Sequence, residues 1–482
     1  MKHAEKRQGV PLILIRIISA CVASVLVFSG LVMAGSRYRQ QGSETMTYRL
    51  SIRTAKAAAT LAPNFTQDGS GVSAGMAAAI KQQFDAFTQS ADIGTTYSAV
   101  FLDINGNRIA EHDAETAREP ASTTKTLTAF AATRQLDLYQ TLDTQVLVDG
   151  DVTDGKATIV LKGNGDLLLG RGENDPNHVN GRAGIATLVK ETASALEDQG
   201  VSQVTLEYDD TLFGDKRLPD GIDSNNQDYI FEMPMASMAI DMDRQWGTYV
   251  PENLDVQDSA YPPKTATAAL NVAKEFASQL SGVGVTVSNA DNPESVTTPD
   301  DATQIASVSS APLYEVMRVM LKNSWNTLAE EFGRLIALKM GYENSPAGAA
   351  QAVTDTVKAA GIFSDGLSLK DCSGLTQGTR IAALTLAQVE RDLVLDEDSD
   401  ASPMMNAMLV PGIDKPRAGF EAPTFGLERL KTGTLENARA LTGTIMLSDG
   451  SVVFFATVCQ DPAVAWAVSS DEFALANAVG KL

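Results

Sequence analysis

Hydrophobic and polar residues alternate along some stretches of the chain and recur every three to four positions in others, so the pattern predicts both strands and helices. Apolar runs joined by a polar turn predict one hairpin over residues 97–111 and another over residues 440–459. Helical periodicity marks residues 76–88, 265–280, 346–360 and 385–395. Antiparallel strands flanked by helices indicate an α+β fold.

The pattern changes in the middle of the chain. Short alternating strands are predicted at residues 144–148, 156–162 and 204–208, with one helix at residues 183–196. This stretch is much longer than a connecting loop requires. We therefore predict a large inserted β-rich domain at residues 143–305, which interrupts a domain built from residues 76–142 and 306–482.

The N-terminus carries a targeting signal. Residues 1–16 are basic and are expected to stay in the cytoplasm, and residues 17–35 form an apolar run about as long as a membrane-spanning helix. This run is predicted to be a membrane anchor, or a signal peptide if it is cleaved near Ala34. Residues 36–75 have the composition of a linker. Under either reading, the rest of the chain is delivered outside the cytoplasm, to the bacterial cell envelope.

The amino-acid composition argues against several classes of function. The 482 residues are 44% hydrophobic and 20% charged, which suits large buried cores, and the net charge of -22 argues against a nucleic-acid partner. The three histidines are far apart, so we expect no zinc site, no other metal and no cofactor. Of the three cysteines, Cys21 lies in the apolar run, and Cys372 and Cys459 are left as either a disulfide or two free thiols.

Ser122 and Lys125 are the first candidate catalytic residues. They lie in the stretch Pro-Ala-Ser-Thr-Thr-Lys-Thr-Leu-Thr-Ala-Phe, and we predict that Ser122 opens a helix. Residues three apart share one face of a helix, and burial can lower the pKa of a lysine so that its amine acts as a base. A serine hydroxyl attacks carbonyl groups poorly until a base takes its proton. The pair therefore predicts a serine nucleophile activated by a lysine.

Two further stretches follow Ser122 along the chain. Ser324 and Asn326 precede a helix with an apolar face, and residues 431–434 read Lys-Thr-Gly-Thr on a predicted strand. Two similar patterns are rejected. Ser224-Asn225-Asn226 lies among turn residues with no helix after it, and the G-x-S-x-G match at residues 71–75 lacks the strand that must precede a nucleophile elbow.

The motifs S-x-x-K, S-x-N and K-T-G, in this order, resemble those of the low-molecular-mass class C penicillin-binding proteins, a D-alanyl-D-alanine carboxypeptidase and endopeptidase family. The resemblance runs from about Ala78 to the C-terminus and includes the long insertion between the first two motifs. Further matching stretches are Glu119-Pro-Ala-Ser-Thr-Thr-Lys, Gly163-Asn-Gly-Asp, Tyr208-Asp-Asp, Asp371-Cys-Ser-Gly-Leu and Leu441-Thr-Gly-Thr. The implied fold is a serine β-lactamase/penicillin-binding transpeptidase-like domain, an antiparallel sheet flanked by helices.

The resemblance implies a role for each residue. Ser122 would be acylated by a peptidoglycan stem peptide and, equally, by β-lactams, with Lys125 as its base. Ser324 would relay a proton to the leaving amine, while Asn326 would hold Lys125 and a substrate amide. Edge-strand residues would bind the substrate strand and its carboxylate: Lys431, Thr432, Gly433 and Thr434. The charge of Lys431 would also help to keep Lys125 neutral, and backbone N–H groups of Ser122 and Thr434 would form an oxyanion hole.

Three positions depart from the family pattern. Trp325 fills the middle of S-x-N, Cys372 replaces a glycine, and Gln377 stands near a usual arginine, so contacts to the diamino acid of the substrate stay open. The insertion is also shorter than is usual for the family. Two other functions compete: a β-lactamase, although the stretch 357–366 contains only Asp365 as a candidate deacylating acid, and a catalytically idle wall-binding scaffold.

Overall fold

A five-stranded antiparallel sheet and a six-stranded mixed sheet organise the part of the chain that the computed structural model describes, residues 71–257, 260–395, 402–412, 414, 424 and 426–482. The strands in chain order are β1 (Tyr97–Leu102), β2 (Arg108–His112), β3 (Ala117–Arg118), β4 (Asp143–Thr153), β5 (Lys156–Gly163), β6 (Gln203–Asp209), β7 (Thr286–Val287), β8 (Glu294–Ser295), β9 (Thr303–Ser309), β10 (Ile381–Ala382), β11 (Glu428–Leu435), β12 (Ala438–Met446) and β13 (Val452–Gln460). The α-helices are α1 (Ala74–Thr88), α2 (Thr124–Gln135), α3 (Ile185–Asp198), α4 (Ala268–Gly282), α5 (Leu313–Asn323), α6 (Asn326–Met340), α7 (Pro346–Ala359), α8 (Ala383–Leu395), α9 (Ser402–Ala407) and α10 (Ala465–Gly480).

The five-stranded sheet has the order β11-β12-β13-β1-β2 and is covered on both faces. On one face, Ala99 and Phe101 of β1 join a core with residues of α1 and α10; on the other, Val100 and Leu102 join the larger core that includes α2 and α8. Every residue of β1 is accordingly buried, since neither face meets water. The ring of Phe101 stacks on that of Phe455 with centroids 5.2 Å apart. Both predicted hairpins are present, and the predicted α+β layer is confirmed.

The six-stranded sheet has the order β7-β6-β5-β4-β9, with β8 paired to β6, and spans residues 143–309. It coincides closely with the predicted insertion but is not purely antiparallel, because β5 pairs in parallel with β6. Helix α3 connects these two strands, as a parallel pair requires. All described residues nevertheless belong to one compact unit, so the domain boundaries stay a prediction.

The turn that carries Ser122 differs from the prediction. A 3₁₀ turn spans Ala121–Thr123, and α2 begins only at Thr124. Ala121 has a left-handed φ of 49°, which interrupts the path of a regular helix. Hydroxyl groups complete the turn: Thr123 Oγ1 donates to Pro120 O at 2.8 Å, and Thr124 Oγ1 donates to Ala121 O at 2.8 Å. Ser122 therefore precedes the helix, while Lys125 lies in its first turn.

Two open questions from the sequence concern cysteines and membrane segments. Cys372 and Cys459 are both free and buried. Burial raises the pKa of each thiol, so neither is an activated nucleophile. None of the helices among the described residues is long and apolar enough to cross a bilayer. The predicted cytoplasmic stretch, the anchor or signal peptide and the predicted linker up to residue 70 lie outside the described residues.

Candidate active site

Lys125 is fully buried and lies at the centre of the site. Its Nζ donates to Ser122 Oγ at 3.0 Å, to Asn326 Oδ1 at 2.6 Å and to the carbonyl oxygen of Ser373 at 2.7 Å. Burial lowers the pKa of Lys125 to about 8, because the charged ammonium loses its hydration. The amine is therefore a usable base near neutral pH, and it points at the predicted nucleophile.

Three buried carboxyl groups oppose this effect, and sequence reasoning missed them as part of the site. Asp371, Glu232 and Glu330 each raise the pKa of Lys125 by charge attraction, so desolvation, not the predicted charge of Lys431, is the largest cause of the lowered value. Burial in turn raises the pKa of Glu330 to about 8 and that of Glu232 well above its usual range. Asp371 accepts three backbone N–H groups, from Ser373, Gly374 and Thr376. The turn that contains Asp371 is one of the stretches that resemble the family, whereas no pattern in the sequence marked Glu232 as part of the site.

Two glycines pack against the 3₁₀ turn that contains Ser122, here called the nucleophile turn. A Cβ atom on Gly374, whose φ is +80°, would lie 1.9 Å from Ala121 O, and one on Gly433 would lie 2.4 Å from Pro120 O. Gly433 was predicted to admit the substrate strand. In the structure its close neighbour is the chain's own turn, so this glycine lets β11 approach Ser122.

Ser324 and Lys431 form a second pair. Ser324 lies between α5 and α6 with a left-handed φ of 60°, a conformation that is uncommon for residues with a side chain. Its Oγ accepts a hydrogen bond from Lys431 Nζ at 3.0 Å, and the same Nζ donates to Thr432 O at 2.8 Å. The side chain of Lys431 is buried beside the cleft, where its ammonium can attract a carboxylate.

The predicted residues surround a cleft of about 550 Å³. Five of them line it directly: Ser122, Ser324, Asn326, Thr432 and Thr434. Lys125 and Lys431 are buried behind them. Strand β11 is the edge of the five-stranded sheet, as predicted, so part of its backbone is available to another strand. The tertiary structure thus brings together residues that are about 300 positions apart.

The three departures from the family pattern have different surroundings. Trp325 is buried, donates from Nε1 to Gln257 Oε1 at 2.7 Å, and faces the guanidinium of Arg244 at 5.0 Å from the ring centroid. Cys372 packs against Gly333 of α6, where an added Cβ would lie 2.2 Å from its sulfur. Gln377 is exposed. The tryptophan and the cysteine are therefore accommodated by neighbours that fit them.

The residues of the two rejected motifs make structural contacts. Ser73, in the G-x-S-x-G match, caps α1, with its Oγ accepting from the N–H of Met76 at 3.2 Å. Ser224 and Asn225 lie in a 3₁₀ turn, and Asn225 lines the cleft and donates from Nδ2 to Leu375 O at 2.8 Å.

The sequence profile of the D-Ala-D-Ala carboxypeptidase 3 (S13) family matches residues 80–271 and 264–473. The chain belongs to this family. The S13 assignment agrees with two curated relatives. A carboxypeptidase of Mycobacterium tuberculosis is 27% identical over 382 residues, and carboxypeptidase DacB of Mycolicibacterium smegmatis is 28% identical over 386 residues. Each alignment covers 77% of this chain and 77% of the relative.

Solved structures agree on the fold. Penicillin-binding protein 4 (DacB) of Haemophilus influenzae superposes with a TM-score of 0.67 at 21% identity, covering 83% of this chain and 99% of that one. A second structure of that protein, in complex with a novel β-lactam, gives a TM-score of 0.62 at 19% identity, with 81% and 97% covered. The predicted family, the penicillin-binding fold and the D-Ala-D-Ala carboxypeptidase activity on peptidoglycan are confirmed.

Proposed function

We propose that this S13 carboxypeptidase works through an acyl-enzyme on Ser122, with Lys125 as the general base. The observation that carries the proposal is the 3.0 Å contact between Lys125 Nζ and Ser122 Oγ, made by a lysine whose pKa is lowered to about 8 by burial. A base with a pKa near the operating pH is efficient, because its neutral form is populated and still accepts a proton.

The reaction then has two halves. Lys125 takes the hydroxyl proton while Ser122 Oγ attacks the carbonyl carbon between the two D-alanines of the stem peptide. The C–N bond breaks, and the proton taken up by Lys125 passes through Ser324, which is hydrogen-bonded to Lys431, to the leaving amine of D-alanine, so that Lys125 is neutral again. In the second half Lys125 takes a proton from water, the hydroxide attacks the ester carbonyl, the ester C–O bond breaks, and Lys125 returns the proton to Ser122 Oγ. β-Lactams enter the first half, because their amide carbonyl is attacked by the same oxygen.

Substrate binding is assigned to the other residues of the cleft. The ammonium of Lys431 and the hydroxyls of Thr432 and Thr434 would bind the terminal carboxylate. The peptide would extend along the free edge of β11, and the backbone N–H groups of Ser122 and Thr434 would stabilise the oxyanion. Two observations support these roles: Lys431 is buried beside the cleft, and its strand lies at the edge of the sheet.

Labelling with a fluorescent penicillin tests the proposal. The wild-type protein is expected to form a one-to-one adduct, seen on a gel and by intact mass, and to release D-alanine from a peptide that ends in D-Ala-D-Ala. Ser122→Ala should do neither, whereas Ser73→Ala, the serine of the rejected G-x-S-x-G match, should behave as wild type. An adduct on Ser122→Ala would refute the assignment, and rapid nitrocefin turnover would favour the β-lactamase alternative.

We further propose that the protein acts at the cell envelope, held to the cytoplasmic membrane by residues 17–35. The supporting feature is the apolar run behind the basic residues 1–16. Membrane fractionation combined with N-terminal mass spectrometry tests this. An intact N-terminus in a detergent-extracted fraction is expected, and a soluble protein that begins after Ala34 would instead show cleavage and secretion.

A further inference from the structure

The mechanism above leaves one wall of the cleft without a role. Residues 224–233, here called the strap, begin at the rejected motif Ser224-Asn225-Asn226 and belong to the predicted insertion. Asn225 and Phe231 of the strap line the cleft, and Glu232 is buried below it. The strap therefore brings side chains and backbone of the middle segment to the base of the catalytic cleft.

Two consecutive strap residues contact the groups that hold Lys125. Apart from the nucleophile, Lys125 Nζ has two acceptors, the Asn326 amide oxygen and the Ser373 carbonyl. Asn326 Nδ2 donates to Phe231 O at 3.3 Å, and Ser373 Oγ donates to a carboxyl oxygen of Glu232 at 3.4 Å. An amide whose Nδ2 is engaged by a carbonyl presents its oxygen on the opposite side. The strap thus orients the Asn326 oxygen toward Lys125.

The strap has its own internal support. Asn226 is buried; its Oδ1 accepts from the N–H groups of Phe231 at 3.1 Å and Glu232 at 3.0 Å, and its Nδ2 donates to Glu232 O at 2.8 Å. Lys264 Nζ donates to the carbonyls of Tyr229 at 3.2 Å and Ile230 at 2.7 Å. These bonds hold a turn in which Tyr229 has a φ of 53°, a backbone conformation that needs support from its surroundings.

Two more bonds join the strap to the catalytic elements. Asn225 Nδ2 donates to Leu375 O at 2.8 Å, and the N–H of Met233 donates to Thr327 Oγ1 at 3.2 Å. Leu375 belongs to the turn that contains Ser373, and Thr327 follows Asn326 on α6. The strap therefore bonds Asn326 and Ser373 themselves, and it also bonds Thr327 and Leu375, which lie near them in the chain.

We propose that the strap positions the general base: Phe231 and Glu232 orient Asn326 and Ser373, and Asn226 and Lys264 keep the strap in the shape that does so. The inference rests on the function proposed above, because it takes Lys125 to be the base. These four residues are positioning residues, since they act on Lys125 through Asn326 and Ser373.

Five charged or titratable groups act on Glu232 or are acted on by it. They are Lys125 on α2, Glu330 on α6, Asp371 and Cys372 in the turn beside Ser373, and Lys264 before α4. Any change at Glu232 therefore acts on the electrostatics of Lys125 as well as on its geometry. For this reason Asn226, which carries no charge, is the better residue for the decisive test.

Asn226→Ala removes three hydrogen bonds from the strap without changing any charge. Asn289→Ala is the matched control, because Asn289 lies in the same predicted insertion and bonds the N–H and the carbonyl of Leu206 at 2.9 and 2.8 Å. The rate constant for labelling by a fluorescent penicillin is measured for both variants and wild type over a pH range that brackets the pKa of Lys125. Circular dichroism and the final labelled fraction report folded protein.

In Asn226→Ala the plateau rate should fall by about tenfold or more, since misorientation of a catalytic group by about 1 Å can reduce a rate by about a hundredfold. Its acidic limb should also move to lower pH, because the ammonium form of Lys125 loses well-placed acceptors. Asn289→Ala should match wild type in both respects. The inference would be overturned if the plateau rate of Asn226→Ala were unchanged, or if the acidic limb of its pH–rate profile stayed in place or moved to higher pH.

Glu232 supplies an independent comparison. Glu232→Gln retains an oxygen that can accept from Ser373, so its plateau rate should stay within about threefold of wild type, whereas Glu232→Ala should lose as much as Asn226→Ala. Equal rates for the two Glu232 variants would contradict the positioning role. Absence of any adduct on wild-type protein would instead overturn the proposed function itself, and with it this inference.

Discussion

Replacing Gly374 with alanine should slow acylation of Ser122 about a hundredfold and should also destabilise the protein. Gly374 has a φ of +80°, and a Cβ atom there would lie 1.9 Å from Ala121 O and 2.6 Å from Thr124 Oγ1. Real Cβ contacts are not found below 3.0 Å, so the carbonyl of Ala121 must move by about 1 Å or more. That carbonyl immediately precedes Ser122, and the nucleophile must move with it.

The magnitude has two separable parts. A left-handed conformation costs a residue with a Cβ atom about 1–2 kcal/mol relative to glycine, and the overlap with the turn costs about 1–3 kcal/mol more; both should appear as lost stability. A nucleophile displaced by about 1 Å should react about a hundredfold more slowly, which corresponds to about 2.7 kcal/mol in the activation barrier.

Gly361→Ala separates the two parts. Gly361 has a φ of +73°, but nothing lies within 4 Å of its would-be Cβ. In urea unfolding Gly361→Ala should lose only the conformational part, whereas Gly374→Ala should also lose the part due to overlap, and only Gly374→Ala should lose about a hundredfold in the rate of fluorescent-penicillin labelling. If Gly374→Ala were labelled as fast as Gly361→Ala, the packing of Gly374 under the nucleophile turn would not control Ser122, and the argument would fail.

Three further predictions concern single contacts. The labelling rate of the wild-type protein should fall about tenfold per pH unit below the pKa of Lys125, which burial lowers to about 8, since only the neutral amine accepts the serine proton; a flat profile would exclude Lys125 as the base. Gly333→Ala should lower the free energy of unfolding by about 1–3 kcal/mol because its Cβ would overlap the Cys372 sulfur, and Cys372→Ala in the same chain should restore most of the loss in urea titrations; two additive losses would refute the contact. Trp325→Asn, which restores a usual family residue, should lower unfolding stability by about 1–2 kcal/mol because Arg244 loses one of its two ring partners and keeps only Trp246; unchanged stability in the same titration would show that the stack on Trp325 contributes nothing.

The proposed catalytic residues could be picked out from the sequence because their spacing reports local geometry. Ser122 and Lys125 are three positions apart, and even with a 3₁₀ turn between them the two side chains meet at 3.0 Å. The apolar face after Asn326 likewise separated that motif from the similar one at Ser224, because helical periodicity is a local property. The α+β layer followed from the strand and helix periods in the same way.

The environment of Lys125 could not be predicted in this way. Glu232, Glu330 and Asp371 come from three distant parts of the chain, and their effect on Lys125 depends on distance and burial, which no local pattern contains. The expectation that Lys431 would keep Lys125 neutral failed to name the main cause for the same reason. Gly433 was also read as space for substrate, whereas packing places it against the nucleophile turn.

By itself, then, the sequence determined the fold class, the family and the identity of the residues around the cleft, because periodicity and motif spacing are properties of neighbouring residues. The tertiary structure alone decided what surrounds them. It brought the strap beneath Asn326, packed Gly374 under Ser122 and buried Lys125 completely. Desolvation and steric contact act between residues that are close in space, whatever their separation along the chain.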